Sequence, residues 1–173
     1  MAKSLHPFKG VLCDTSFLIT LLNPKRAENK VADDYYKFFL DYEVPLFLSS
    51  IVIGEYCVRG SYEELPIMSM IPLTYTVAHA REAATIAATL IRHRKTEHQD
   101  GLKGARADIP NDSMLLGQCV AEDGISHFIT ADRKFKDRIS RAFEDNPLSC
   151  QIITLEHTVA EVAGTLDFNT NEQ

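Results

Sequence analysis

Short apolar runs alternate along this chain with longer segments whose apolar residues recur at helical spacing. Val11-Leu12-Cys13 predicts a buried strand over 10–13, short and uninterrupted by polar residues. A brief helix over 16–22 follows and is ended by Asn23-Pro24. The next helix, 25–42, has Val31, Tyr35, Phe38 and Phe39 as its apolar side. Residues 45–48 read as a strand. Ser49 and Ser50 are caps for a helix that runs to about residue 59 and is stopped by Gly60. A third strand is expected over 67–72. The clearest helix covers 76–95, with Val77, Ala80, Ala84, Ala87 and Ile91 at helical intervals. Residues 96–107 are polar, contain two glycines and read as an exposed loop. Asp108 caps the helix that follows, Pro110 is tolerated in its first turn, and Asp123-Gly124 ends it. The remainder reads as a strand over 126–130, a helix over 133–143, a strand over 151–155, a short helix over 157–163, and an acidic tail, 164–173, that frays.

This alternation implies an α/β fold, a mostly parallel sheet with helices on both faces. Ligands in such folds collect at the carboxyl ends of the strands. With 173 residues, 45% hydrophobic and 24% charged, the chain reads as one globular domain over 1–173. No apolar run approaches the ~20 residues of a membrane span, and residues 1–10 lack the apolar core of a signal peptide. A cytoplasmic protein with no membrane partner is therefore expected. Cys13, Cys57, Cys119 and Cys150 are scattered and form no CxxC pair, which argues against a disulfide framework or a zinc site. Cys13, Cys57 and Cys119 read as buried free thiols.

Four acids break the apolar pattern. Asp14 closes the first strand, and Asp132 follows the strand His127-Phe128-Ile129-Thr130 by one residue. Glu55 shares a helix face with Ile51 and Val58, and Asp112 shares one with Leu115, Leu116 and Cys119. Carboxylates gathered in such places are costly unless a cation neutralises them, and a divalent metal ion is the usual one. Each acid also has a plainer reading. Asp14 before Thr15-Ser16 is a helix cap, Asp112 favours a helix dipole, and Asp132 starts the following basic helix. Glu55 has the weakest plain reading, since an inward glutamate in mid-helix needs a partner.

Net charge is −6, yet its distribution matters more than its sum. One basic run carries Arg92, Arg94, Lys95, Lys103 and Arg106; another carries Arg133, Lys134, Lys136, Arg138 and Arg141. Either run suits a solvated helix face. The second begins directly after Asp132, so Arg133 and Lys134, with Arg94 and Lys95 behind them, are candidates for holding a nucleic-acid backbone near a metal.

In order and spacing, Val11-Leu12-Cys13-Asp14-Thr15-Ser16, Ser49-Ser50-Ile51-Val52-Ile53-Gly54-Glu55, Asn111-Asp112-Ser113-Met114-Leu115-Leu116 and Ile129-Thr130-Ala131-Asp132-Arg133-Lys134-Phe135 resemble the PIN-domain nucleases, over roughly residues 10–155. The resemblance implies a PIN-like three-layer α/β/α fold around a central, mostly parallel sheet. It makes Asp14, Glu55, Asp112 and Asp132 an acidic cluster that holds Mg²⁺ or Mn²⁺, with Thr15 and Thr130 as supporting hydroxyls. The activity it implies is ribonuclease hydrolysis leaving a 5′-phosphate and a 3′-hydroxyl. Small members resemble the VapC-type toxins of toxin–antitoxin pairs, which implies RNA as substrate, an antitoxin protein as partner, and a homodimer built on helices 25–42 and 50–59. The chain departs from the family pattern in its longer 96–107 loop and in the bulky Met114-Leu115-Leu116.

Three other classes stay in view. A haloacid-dehalogenase-type phosphotransferase also begins with an aspartate after a strand, but places a second one two residues on, where this chain has Ser16. A catalytically inactive PIN-fold module would bind RNA or protein without cleavage. A purely structural domain would show no metal-dependent change in stability. His93, His98 and His127 suggest no triad, and Cys13 in an apolar strand is a poor nucleophile because burial raises its pKa.

Overall fold

The computed structural model describes residues 7–97 and 108–164. Five strands, β1 (Val11–Cys13), β2 (Leu46–Ser49), β3 (Ile71–Leu73), β4 (His127–Thr130) and β5 (Gln151–Thr154), form one parallel sheet in the order β3-β2-β1-β4-β5. β1 is central and fully buried, which is why Val11-Leu12-Cys13 has no polar alternation. The chain builds outward from β1 through β2 to β3, then returns to the other side of β1 as β4. Strand order therefore reverses between β1 and β4. A crevice opens at the carboxyl ends of such a pair, and Asp14 and Asp132 stand at those two ends.

The helices are α1 (Thr15–Leu21), α2 (Asn29–Asp41), α3 (Ser50–Tyr56), α4 (Val77–Glu97), α5 (Asp108–Ala121), α6 (Arg133–Ala142) and α7 (Val159–Ala163). α1 packs on α2 and α3, and α2 on α7, while α4 packs on α5 and α6. This gives the expected three-layer α/β/α arrangement. Ser49 caps α3 by accepting from the Ile51 N–H at 3.0 Å. Thr158 caps α7, whose end is Gly164 in the left-handed region at φ 66°.

Several expected boundaries move. Residues 67–69 form a 3-10 turn, and the third strand starts only at Ile71. That strand lies at the sheet edge, where Pro72 removes no needed hydrogen bond. α2 begins at Asn29, whose side-chain amide donates to the Thr20 and Leu21 carbonyls and so closes the end of α1. α5 is described from Asp108 onward, so the cap expected at Asp108 falls at the edge of the described residues. α3 stops at Tyr56, which leaves Val58 outside the helix and exposed, so it shares no buried face with Glu55. Cys57 at the same helix end is exposed, contrary to the buried thiol expected there.

The largest correction concerns α4. Its buried side is His79, Ala83, Ile86 and Leu90, while Val77 and Ile91 are exposed. Alanines on both sides of this helix left its apolar stripe ambiguous, and the polar His79 concealed the true one. His79 Nδ1 accepts from the Thr76 N–H at 3.0 Å, so Nε2 carries the proton and donates to Glu122 Oε1 at 2.7 Å. The tail beyond Gly164, expected to fray, and the 98–107 part of the predicted loop, with His98, lie outside the described residues. Among the described residues no helix is long and apolar enough to cross a membrane.

Candidate active site

β1 delivers Asp14 to the crevice and anchors it there: the Asp14 N–H donates to the Ile129 carbonyl of β4 at 3.0 Å. Asp14 occupies the N-cap position of α1, but its side chain makes no capping bond. Its Oδ2 accepts instead from Ser16 Oγ at 2.5 Å and from Thr130 Oγ1 at 2.7 Å. The two hydroxyls lie 2.9 Å apart. Each reaches further into the β4–α6 turn, where the Ala131 N–H donates to Ser16 Oγ at 2.9 Å and the Asp132 N–H to Thr130 Oγ1 at 3.0 Å. Asp14 thus sits in a cradle of neutral hydroxyls tied to backbone, without the capping role its position allows.

Burial pushes the Asp14 carboxyl above its ordinary range; the hydroxyl bonds and the Thr15 backbone N–H pull it back, and the nearby charge of Glu55 adds to the rise. Glu55, on α3, accepts from Thr15 Oγ1 and, at 2.6 Å, from Asn111 Nδ2. The second bond joins α3 to α5, and so links the two helical layers across the top of the sheet. It also brings the start of α5, with Asp112, toward the crevice. Asp112 is ion-paired with Arg138 of α6. The Arg138 guanidinium lies 5.7 Å from the Phe135 ring centre, and its Nε is buried without a partner. Asp132 is exposed and caps α6, its Oδ1 accepting from the Phe135 N–H at 3.1 Å.

The four acids therefore fall into three environments. Asp14 and Glu55 form a close, hydroxyl-supported pair; Asp112 is matched by an arginine; Asp132 faces solvent beyond a cap bond. Among the described residues no three acidic, histidine or cysteine side chains stand close enough to share an ion. The Asp14–Glu55 pair, with its hydroxyls, is a set of hard oxygen donors. It fits a small divalent cation that keeps most of its water and takes one or two carboxylates directly. Such a cation would offset the charge that burial makes costly at Asp14.

Three contributors to this site had no assigned role in the sequence. Ser16 and Asn111 sit beside named acids, and their signal was a hydroxyl and an amide directly flanking Asp14 and Asp112. Arg138 was hidden within a basic run that reads as a solvated face. The basic candidates separate as well: Arg133 Nη1 pairs with Glu156 Oε1 at 2.9 Å, Lys134 is exposed, and Arg94 and Lys95 fall in the last turn of α4.

Thr130 supports the site by a bond that can be tested. It is fully buried, donates to Asp14 and receives the Asp132 N–H. Thr130→Val keeps its shape but leaves that N–H and one lone pair of Asp14 unpaired. A loss of ~1–3 kcal/mol is expected in urea unfolding, larger than for Thr85→Val on the exposed side of α4; equal losses would show that the cradle contributes nothing.

No protein-family model matches the sequence, and no curated protein matches it. Solved structures do match. A chain in the crystal structure of VapBC2 from Rickettsia felis bound to a DNA fragment from their promoter aligns over 83% of this chain and 97% of its own, with a TM-score of 0.53 and 14% identity. A chain of DNA-bound VapBC from Salmonella typhimurium aligns over 84% and 98%, with a TM-score of 0.50 and 21% identity. This protein has a PIN-like fold. At these identities the fold is what is shared. The PIN-like arrangement explains why residues from β1, α3, α5 and the β4–α6 turn converge at one edge of the sheet: each follows or faces the carboxyl end of a central strand.

Proposed function

We propose that the chain is a metal-dependent ribonuclease that hydrolyses RNA phosphodiester bonds. The observation that carries this reading is the partly buried Asp14 carboxylate, held beside Glu55 by neutral hydroxyls and a backbone N–H with no cationic side chain among them, at the point where strand order reverses. Asp14 and Glu55 would hold Mg²⁺ or Mn²⁺, with Asp112 and Asp132 contributing to the same charge field. The ion, when bound, supplies a Lewis acid and lowers the pKa of water. The chain's own residues orient and screen. Ser16 and Thr130 fix the Asp14 carboxylate, Thr15 and Asn111 fix that of Glu55, and Lys134 with Arg133 offers positive charge to the RNA backbone beyond Asp132. The two similar structures are VapBC complexes, which supports an antitoxin protein as partner; the working form in this reading is a homodimer. An acidic, cytoplasmic toxin of a toxin–antitoxin pair agrees with the composition.

One observation favours a second reading, a PIN-like module that binds RNA or protein without cleavage: Arg138 already neutralises Asp112. The two readings separate in one experiment. Purified protein is incubated with total RNA and either Mn²⁺ or EDTA, alongside its Asp112→Asn variant. The nuclease reading expects fragments from the wild type with ion, none with EDTA, and at least a tenfold slower reaction in the variant. Intact RNA under every condition, or equal cleavage with EDTA, would sink it.

A further inference from the structure

A pocket of about 340 Å³ lies directly behind Glu55, between α1 and α3. This is within the size range of small-molecule sites, ~300–1,000 Å³. Ile19 of α1 and Leu22 just past its end form an apolar wall, Tyr56 borders it, and the exposed Arg26 and Arg59 complete the lining. Glu55 lines this pocket and also accepts from Thr15 in the acid site, so the pocket and the acid site share this carboxylate. The charges inside it are unusual. Two glutamates and two arginines share the pocket, yet the acids take neutral donors. Glu55 accepts from Thr15 and Asn111, and Glu64 accepts from the Tyr56 hydroxyl at 2.8 Å and the Ser61 N–H at 3.1 Å. The guanidinium groups of Arg26 and Arg59 are exposed and make no hydrogen bond or ion pair with any described residue.

Open guanidinium forks suit planar, bidentate anions, above all phosphate. An apolar wall and an aromatic ring suit a base. We infer that this pocket is a nucleotide subsite, which seats one unpaired nucleotide of single-stranded RNA next to the bond to be cut, with its phosphate on Arg26 and Arg59. This rests on the ribonuclease reading and deepens it. The pocket would select single-stranded or looped RNA, because a base held in a helix cannot enter it. It also lies on the side of the acid pair away from Arg133 and Lys134, so the strand crosses Asp14 and Glu55 between two groups of cations.

The test uses the full chain and a short dye-labelled single-stranded RNA in EDTA, where binding is read by fluorescence anisotropy over a range of KCl concentrations. The Arg26→Ala/Arg59→Ala variant should bind roughly tenfold more weakly or worse, with a salt slope shallower by about 1 for each lost phosphate contact. Its melting temperature should match the wild type, because neither guanidinium holds another side chain. In Mn²⁺ its KM should rise while kcat stays near wild type. Unchanged affinity and slope would overturn the subsite and leave the nuclease reading standing if the wild type cleaves. A wild type that neither binds nor cleaves RNA would overturn both. Unchanged RNA binding with lost association of an antitoxin chain would assign the pocket to a protein partner and also overturn the proposal.

Discussion

Asp14→Asn is expected to abolish ion-dependent RNA cleavage, by about 10³-fold or more, and at the same time to stabilise the metal-free chain at neutral pH. Both effects arise from one feature, a carboxylate that burial makes costly and that its neighbours relieve only with neutral donors, two hydroxyls and the Thr15 N–H. Asparagine keeps an oxygen that accepts from Ser16 and Thr130, but carries no charge for an ion to meet. The pH dependence has a definite sign. Folded Asp14 holds its proton more tightly than an ordinary aspartate, whose value is 3.8, so the native state binds more protons than the unfolded one just above that value. Stability from this group is fully present below 3.8 and is lost as pH rises through the folded value. In EDTA the melting temperature of Asp14→Asn should therefore exceed that of the wild type at neutral pH, and the gap should close as pH falls toward 4. Added Mn²⁺ should reverse the order, because the ion binds only the assembled wild-type site. A variant that melts below the wild type in EDTA at neutral pH would show that the Asp14 charge is not a burden to the fold.

The parts of this molecule that could be read in advance are those where one physical demand dominates a stretch of sequence. β1 must be apolar on both faces because helices cover both sides of the parallel sheet, and Val11-Leu12-Cys13 shows it. Asp14 and Asp132 follow the strands that meet at the reversal of strand order, so their positions at one edge of the sheet could be inferred from alternation alone. α4 shows the opposite case. Ala80, Ala83, Ala84, Ala87 and Ala88 are nearly equivalent on either face, and the face that is buried is decided by His79, which reads as polar until its partners Thr76 and Glu122 are known. The pairing of Asp112 with Arg138 was equally hidden. Twenty-six residues separate the two, and only the packing of both α5 and α6 on α4 brings them together. Spacing along one helix says which residues share a face, but not which face meets a neighbouring helix.

The second large effect is expected where α4 and α5 meet. Gly117 lies on α5 so close to α4 that an added Cβ would stand 2.7 Å from both the Ala83 nitrogen and the His79 carbonyl oxygen, and 2.9 Å from Ala83 Cβ. Alanine in a helix interior gains ~1 kcal/mol over glycine. Here two of the three obstructing atoms are backbone, so no side-chain rotation makes room and the helices must separate. Overpacking of this kind costs ~1–3 kcal/mol, which outweighs the propensity gain, and valine adds two further methyl groups. Gly117→Ala should lower the melting temperature by a few degrees and Gly117→Val by about 6 °C or more, at ~2–4 °C per kcal/mol for a chain of this length. Gly54 provides the internal comparison. It is also helical, but a Cβ there meets nothing within 4 Å, so Gly54→Ala should raise stability by ~0.5–1 kcal/mol. The site should respond too. α5 carries Asn111 and Asp112, so moving it away from α4 disturbs the amide that holds Glu55 and the carboxylate that holds Arg138. Loss of cleavage in Gly117→Val at temperatures where the chain stays folded would tie this packing to the acid pair. A Gly117→Ala variant as stable as Gly54→Ala would mean the two helices lie further apart than described.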